Sequence, residues 1–409
     1  MVDVNTALTL IAAIIFVGFL ASKIFERYKI PDILILMLLG LMIGPVFGVF
    51  GPTALAGMKA LGPFFGTLVL IILLIEGGMS LYYKKVLQEA APATLFALAS
   101  FVGSVLLVSG VAVLFGWPLL HGLLLGSILG GTSSSVVMSL VRRINIGEET
   151  RTILSLESSI NDSLTIISSI FLLQLIATGD ALPISEAAQD FFGAFTISSL
   201  FALLAGALWL KTLDILKTEK YNYLLTLAAG LLLYVFTEGA GSNGAFAALV
   251  FGIVLGNSYL FKGMLGTGER AILKPELQVA QEEITFFVRT FFFVFMGVIL
   301  EIATLTIATV AMALLVVASK AAARYGSAGI LERFAPVATD RKIITAMLPN
   351  GLAAAAMAAY PAAFGITFGG EDVFLQVAFL VIFISNVVAS LAIFKIESDK
   401  GKKRPEATR

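Results

Sequence analysis

The chain has 409 residues, of which 58% are hydrophobic and only 13% are charged, and its 27 basic residues balance its 27 acidic residues. A mean hydropathy of +0.98 excludes a soluble domain. The absence of cysteine excludes disulfides, thioether-linked haem and thiolate metal sites, and we expect no cofactor and no nucleic-acid partner.

Apolar segments long enough to cross a hydrocarbon core of roughly 30 Å recur along the whole chain. Because a backbone in lipid must satisfy its own hydrogen bonds, segments near 20 residues predict helices rather than barrel strands. The sequence predicts an all-α polytopic membrane protein with 13 spans. The predicted spans are 5–22, 31–50, 62–82, 92–116, 119–141, 152–178, 191–210, 222–238, 243–260, 284–300, 303–323, 343–366 and 372–394.

The basic residues support this division of the chain. Every Lys and Arg except Lys59 and Arg289 lies at the end of an odd-numbered span or in the connection after it, whereas connections after even-numbered spans, such as 179–190 and 370–372, are acidic or neutral. Because basic loops stay cytoplasmic, we predict a cell-membrane protein with its N-terminus outside and its C-terminus inside. The basic residues that follow odd-numbered spans up to residue 342 are Lys23, Arg27, Lys29, Lys84, Lys85, Arg142, Arg143, Arg151, Lys211, Lys217, Lys220, Lys262, Arg270, Lys274, Lys320, Arg324, Arg333, Arg341 and Lys342.

An odd number of spans suggests two six-helix halves joined by the span at 191–210. Spans 1–6 and 8–13 would then be repeats of opposite topology, as in many secondary transporters. We expect residues 1–394 to form a single transporter unit, followed by a short basic cytoplasmic tail at 395–409. In this arrangement the fifth span corresponds to the twelfth.

The fifth and twelfth spans both contain residues that interrupt helices. The fifth carries the sequence GGTSSS at 130–135, and the twelfth carries PNG at 349–351 with Gly365 later. Glycine costs backbone entropy and proline removes a donor, so we expect both helices to unwind and to cross. Freed carbonyls and half-helix ends can then bind ions. The alternative is that these small residues only allow close helix packing.

Three carboxylates, those of Glu76, Glu157 and Asp162, lie inside hydrophobic stretches. An acid at bilayer depth is costly unless it is paired, neutralised or hydrated, and it therefore points to function. Asp162 and Ser158 share one face of the sixth span. A hard cation such as Na⁺ prefers oxygen ligands, which Asp162, Ser158 and Thr132 could supply. Alternatively, the two hydroxyls satisfy backbone carbonyls.

Glu76 lies late in the third span, and two positions for it remain open. It is either an interfacial acid near Lys84 and Lys85 or an acid at the mouth of the cation path. His121, beside Trp117 between two apolar segments, is expected to be interfacial and to have no chemical role.

These motifs, in this order along the chain, resemble the cation–proton antiporter superfamily, in its sodium/proton exchanger branch with an Asn-Asp motif. The resemblance covers essentially the whole chain. It is carried by Glu157-Ser158 followed by Asn161-Asp162, by Glu76 in the third span, by the Thr132 break in the fifth, and by Pro349 with Gly351-Leu352 in the twelfth.

The resemblance implies secondary active exchange of Na⁺ or Li⁺ for H⁺, a role in pH homeostasis, and a homodimer. It places Asp162, Ser158, Thr132 and Glu76 around the ion. It also implies that Asn161 holds the site together and, as Asn rather than Asp, accompanies electroneutral one-for-one exchange.

One position departs from the family pattern. Asn350 stands where relatives commonly have an Arg that pairs with the acid matching Glu157. We expect Arg289, Lys320 or Arg324 to replace that partner, or Glu157 to carry a proton.

In the resulting mechanism, Asp162 binds either a cation or a proton, and only the loaded, neutral side chain crosses the apolar barrier at low cost.

A potassium/proton antiporter of the same fold remains an alternative. A sodium-coupled symporter of organic anions would need a cation in the membrane, for which Arg289 is the candidate. A channel would need acidic rings or a carbonyl filter, and an intramembrane protease would need a second catalytic Asp. We therefore expect a transporter, not an enzyme, whose partners are monovalent cations, protons and lipid.

Overall fold

A computed structural model of the chain describes residues 4–28, 30–80, 91–142, 144, 146–178, 184–216, 221–261, 275–334, 341–361 and 373–402. Within these ranges every regular element is helical, which confirms the all-α prediction. The α-helices are α1 (Val4–Tyr28), α2 (Asp32–Leu41), α3 (Pro52–Ser80), α4 (Ala91–Leu114), α5 (Leu119–Gly130), α6 (Ser134–Val141), α7 (Glu148–Thr178), α8 (Ile184–Ile215), α9 (Asn222–Gly239), α10 (Gly244–Gly256), α11 (Pro275–Ile299), α12 (Ile307–Phe334), α13 (Arg341–Ala346), α14 (Leu352–Ala359) and α15 (Val373–Lys402).

The helices follow the predicted spans. Each span overlaps one helix, or a pair of short helices in the case of the fifth and twelfth. Among the described residues, nine helical stretches are long and apolar enough to cross a membrane, and Asp32–Val46 and Gly244–Gly256 are shorter apolar helices. A multi-pass membrane protein is thus supported, while the number of 13 crossings and the inverted repeats remain predictions.

Two helices run beyond their predicted ends. Helix α12 continues to Phe334, so Lys320 and Arg324 lie inside it at 0% and 2% exposure. Their predicted place at and beyond the end of the eleventh span is therefore wrong. Helix α15 continues to Lys402, well into the predicted tail.

Some of the predictions fall on residues outside the described ranges. These are the connections within 179–183 and 362–372, the end of the tail at 403–409, and Lys29, Lys84, Lys85, Arg143, Lys217, Lys220, Lys262, Arg270, Lys274 and Gly365.

The chain divides into two compact units. The first unit comprises Met1–Phe65, Glu89–Leu172 and Thr290–Arg409, and the second comprises Gly66–Gln88 and Leu173–Arg289. In the first unit α4 packs against α5 and α12, and α12 packs against α13 and α15. In the second unit α8, α9 and α10 pack against one another. Both broken spans belong to the first unit.

Within the first unit, α2 and α11 approach each other closely through two glycines. A Cβ added to Gly297 would lie 2.5 Å from the carbonyl oxygen of Met37 and 2.8 Å from the Cα of Gly40. Without a hydrophobic driving force between helices in lipid, such close backbone contact is a main source of helix association. These glycines therefore fix how α2 packs on α11.

We expect Gly297→Leu to lower the free energy of unfolding by about 1–3 kcal/mol, because the new side chain would overlap the backbone of α2. The thermal unfolding midpoint in detergent measures the change. Gly57→Leu is the matched control, since a Cβ at Gly57 meets open space. Equal midpoints for the two variants would contradict this account of the packing.

Candidate functional site

The predicted break in the fifth span is present. Helix α5 ends at Gly130 and α6 begins at Ser134. Between them the backbone is extended, with ψ of 175° at Gly131 and 122° at Ser133. The freed N–H of Ser133 donates to the carbonyl oxygen of Pro349 over 2.8 Å. The break in the fifth span is therefore hydrogen-bonded to the break in the twelfth.

The twelfth span breaks between Ala346 and Leu352, where α13 ends and α14 begins. A Cβ on Gly351 would lie 2.5 Å from the Cβ of Ser133. No real side chain tolerates that distance, so glycine is required for the two extended segments to cross. We call this crossing of 131–133 with 347–351 the helix crossing.

Asn350 ties the helix crossing together. Its Nδ2 donates to the carbonyl oxygens of Leu129 and Gly131 over 3.0 and 3.2 Å. Its backbone oxygen accepts from Nδ2 of Asn386 on α15 over 2.8 Å, and its N–H donates to Oγ of Ser385 over 3.2 Å. Asn350 thus satisfies carbonyls freed by the first break and anchors the second break to α15.

The ammonium of Lys320 lies within the helix crossing and is 0% exposed. It donates to the carbonyl oxygens of Gly131 and Leu348 over 3.2 and 3.3 Å, and to Oδ1 of Asn350. Those two carbonyls follow the C-terminal ends of α5 and α13, where the aligned peptide dipoles leave partial negative charge. The ammonium charge is therefore offset by the ends of two half-helices.

Glu157 forms a buried ion pair with Arg324. Nη1 and Nη2 of Arg324 donate to Oε1 and Oε2 of Glu157 over 2.7 and 3.2 Å, and Nε donates to the carbonyl oxygen of Ile344 over 3.0 Å. The guanidinium also lies over the Phe96 ring, 5.2 Å from its centroid. Of the three basic residues considered as the partner of Glu157, Arg324 is the one that bonds it.

Asn161 and Thr132 complete the surroundings of Glu157. Nδ2 of Asn161 donates to Oε1 of Glu157 over 2.5 Å and to Oγ1 of Thr132 over 3.3 Å. Oγ1 of Thr132 in turn donates to Oε1 of Glu157 over 3.2 Å. The Oδ1 atom of Asn161 is buried and has no hydrogen-bond partner within the described part of the chain. An acceptor oxygen in this position is available to a ligand that carries positive charge.

Asp162 lies at the other end of the first break. Its Oδ2 accepts from the N–H of Ser134 over 3.0 Å and from the hydroxyl of the same residue. Because Ser134 begins α6, the carboxylate faces the N-terminus of a half-helix, where partial positive charge favours an anion. Asp162 is half-buried, so it is less enclosed than Glu157.

The two hydroxyls predicted as cation ligands differ in their bonding. Ser158 donates to the carbonyl oxygen of Ser155 over 3.1 Å, as in the alternative in which the hydroxyl satisfies its own helix. Its oxygen still keeps acceptor lone pairs. Thr132 bonds Glu157 and Asn161 instead, so it links α7 to the helix crossing.

Glu76 belongs to the second unit, late in α3. Its Oε2 accepts from Oγ1 of Thr285 over 2.8 Å, and its carboxylate also accepts a hydrogen bond from Gln281 and is attracted by Arg289. Arg289, predicted to support the site around Glu157, thus acts within the second unit on Glu76.

Two contributors to the site, Ser385 and Asn386, were missed from the sequence. Lys320 and Arg324 were expected at and beyond the end of the eleventh span and named among the possible partners of Glu157, and being four residues apart they share a helix face. Ser385-Asn386 in the highly apolar last span is a sign of a polar contact inside the bundle.

A helical membrane protein in which two broken helices meet beside buried acids has the architecture of a secondary transporter. The sequence profile described as "Sodium/hydrogen exchanger, transmembrane" matches residues 11–396, and the chain belongs to that family.

Individual relatives are more distant. The K(+)/H(+) antiporter NhaP2 of Shewanella sp. (strain ANA-3) is 29% identical over 62% of this chain and 44% of its own length. The probable Na(+)/H(+) antiporter 2 of Methanocaldococcus jannaschii is 25% identical over 70% of this chain and 67% of its own length. The chain therefore spans less than half the length of the Shewanella relative it matches.

Solved structures support the fold. The sodium proton antiporter MjNhaP1 from Methanocaldococcus jannaschii, determined at pH 8, superposes with a TM-score of 0.73 at 20% identity, covering 96% of this chain and 98% of that one.

We expect Arg324→Met to lower the free energy of unfolding by about 3–5 kcal/mol, because it leaves the Glu157 carboxylate buried without its cation. Chemical or thermal unfolding in detergent measures the loss, and adding Glu157→Gln should restore part of it. Arg151→Met is the control, since the ion pair of Arg151 with Glu148 is exposed and its loss should cost less than about 1 kcal/mol. A similar loss of unfolding free energy for both single variants would contradict the claim that the buried pair stabilises the site.

Proposed function

We propose that the chain is a secondary active antiporter in which a monovalent cation and a proton compete for Asp162. The observation that carries this proposal is the position of Asp162, whose carboxylate accepts two hydrogen bonds from Ser134 at the start of α6, beside the helix crossing. Half-helix ends and freed backbone beside an acid form the kind of place where transporters bind ions.

The two acids of α7 have different roles in this proposal. Glu157 is 0% exposed and bonded to Arg324, Asn161 and Thr132, so its negative charge is matched in place. A carboxylate fixed in this way is poorly suited to exchange ions. Asp162 is half-buried and bonded by Ser134 through donors that do not cancel a full charge. The exchangeable charge is therefore assigned to Asp162.

Oxygen atoms near the crossing provide the ligands that an alkali cation prefers. The proposed ligands are Asp162, Ser158 and Thr132, with the unpaired Oδ1 of Asn161 as an additional acceptor. An ionised carboxylate is costly inside the membrane, whereas Asp162 loaded with a cation or a proton is neutral. The cost of moving the empty site suppresses unloaded movement and thereby couples the two flows.

Na⁺, with Li⁺ as a variant, is the proposed cation, and one cation is proposed to exchange for one proton. Both are taken from the family resemblance carried by Asn161 and Asp162, and the choice of Na⁺ agrees with the name of the Methanocaldococcus relative. K⁺ is the second candidate, favoured by the name of the Shewanella relative. Exchange measured with Na⁺, Li⁺ and K⁺ in turn, in liposomes of purified protein with a pH-sensitive dye, distinguishes them.

The proposal includes location and assembly. A multi-pass protein in the cell membrane, with its N-terminus outside and its C-terminus inside, is favoured by the basic residues after odd-numbered spans. A homodimer and a role in pH homeostasis are proposed from the family resemblance.

Asp162→Asn is expected to abolish cation-dependent proton flux in liposomes, because the amide cannot carry the exchanged charge. The variant should stay folded, since Asn can still accept hydrogen bonds from Ser134. Asp214→Asn, near the end of α8, is the control for loss of a carboxylate and should exchange at a rate within about twofold of the parent. Cation-driven proton flux retained by Asp162→Asn would refute the assignment.

Electroneutral exchange predicts the absence of a transport current. On a solid-supported membrane, a sudden increase in cation concentration should give no more current with the parent protein than with Asp162→Asn. The same vesicles should show cation-driven proton flux by fluorescence. A current that appears only in the parent would rule out one-for-one exchange and leave Asp162 as the binding site.

A further inference from the structure

Lys320 is a buried basic residue to which the exchange proposed above gives no role. Its side chain is 0% exposed. Within the part of the chain that the structure describes, its three hydrogen bonds all go to neutral oxygens, those of Gly131, Leu348 and Asn350. Three acceptors match the three N–H groups of an ammonium, whereas a neutral amine has only two. An ammonium is costly to bury without a carboxylate bonded to it, so its presence points to function.

The first of these oxygens belongs to the peptide unit that leads into Thr132. Because a peptide unit is planar and rigid, holding the carbonyl oxygen of Gly131 also fixes the orientation of the N–H of Thr132. The same oxygen accepts from Nδ2 of Asn350 over 3.2 Å. On its other side, Gly131 packs so closely on α7 that an added Cβ would lie 2.3 Å from Oγ1 of Thr165. The backbone that carries Thr132, a proposed cation ligand, is therefore held from two sides.

The second oxygen belongs to the peptide unit that leads into Pro349. Lys320 donates to the carbonyl oxygen of Leu348 over 3.3 Å. The carbonyl oxygen of Pro349 in turn accepts from the N–H of Ser133 over 2.8 Å. The ammonium thus holds a peptide unit in each of the two breaks that this hydrogen bond joins.

We propose that Lys320 is a positioning residue for cation exchange. Its ammonium fixes one peptide unit in each break and thereby keeps the Thr132 hydroxyl in place for the cation. Lys320 acts through the backbone and does not itself touch the cation. This inference rests on the antiporter function proposed above, and it adds a residue that sets the cation concentration at which exchange is half-saturated.

Two other roles for Lys320 lead to different results. If it only stabilises the folded protein, its removal lowers the maximal rate and leaves the half-saturating cation concentration unchanged. If its charge only repels the incoming cation, its removal lowers that concentration. If it positions Thr132, its removal raises the concentration, because a displaced ligand holds the cation less well. The direction of the change separates the three roles.

The test measures the half-saturating concentration of Na⁺, or of K⁺ if the parent exchanges K⁺, in the liposome assay. The rise of the unfolding midpoint as the same cation is added in detergent measures binding independently. Lys320→Met has a similar shape and no charge, and it is expected to raise the half-saturating concentration about fivefold, the effect of losing one neutral contact. Gly297→Leu is the matched control for lost stability, since it disturbs the packing of α2 on α11, and it should keep the parent value.

A half-saturating concentration for Lys320→Met equal to or below that of the parent would overturn the positioning role. If Lys320→Met does not fold, Lys320→Gln decides the question, because its uncharged amide ends one bond before the ammonium nitrogen and cannot hold both carbonyls. A raised value for Lys320→Gln then supports the proposal, and a parent-like or lower value overturns it. Failure of the antiporter function itself is distinguishable, because the parent would then show no cation-driven proton flux at all.

Discussion

The structure around the site depends on one constraint, which is that a helix interrupted inside a membrane must find new partners for the backbone groups it frees. Two helices meet this constraint by being interrupted at the same place. The N–H of Ser133 bonds the carbonyl of Pro349, and the amide of Asn350 bonds the carbonyls of Leu129 and Gly131. Each break supplies partners for the other, which explains why helix-interrupting residues occur in both spans, glycine in the fifth and proline with glycine in the twelfth.

The charges of the site follow from the direction of the half-helices. Helices α5 and α13 end at the crossing, and the Lys320 ammonium bonds carbonyls beyond both ends. Helix α6 begins at the crossing, and the Asp162 carboxylate bonds its first N–H. Each charged group therefore lies at the half-helix end of opposite sign. The Lys320 ammonium and the Asp162 carboxylate are thus each stabilised by half-helix ends at the same pair of breaks.

Much of this arrangement could be predicted from the sequence, because it depends on local composition. Apolar length predicted the spans, and the GG and PNG sequences predicted the two breaks. Helix ends were less predictable, since the buried Lys320 and Arg324 in α12 have the composition of a loop edge. The partner of Glu157 could not be derived from spacing, because Arg324 lies 167 residues away along the chain. The tertiary fold determines which of several basic residues reaches that acid, and it brings Arg324 of α12 to Glu157 of α7.

Asn350 shows why the loss of an expected arginine is compatible with an intact site. An arginine there would bring its own positive charge into the helix crossing, where the Lys320 ammonium already lies. The Asn350 amide donates to two carbonyls and accepts from Lys320, which a guanidinium cannot do because it has no acceptor. The cation for Glu157 comes instead from Arg324, one helical turn beyond Lys320 on the same helix. Both fixed cations of the site are thus carried by α12, and the broken helix keeps a neutral residue at the position where the two segments cross. Glu157 and Arg324 are matched in place and Lys320 is offset by the half-helix ends, which is consistent with the proposal that Asp162 is the group whose charge changes on loading.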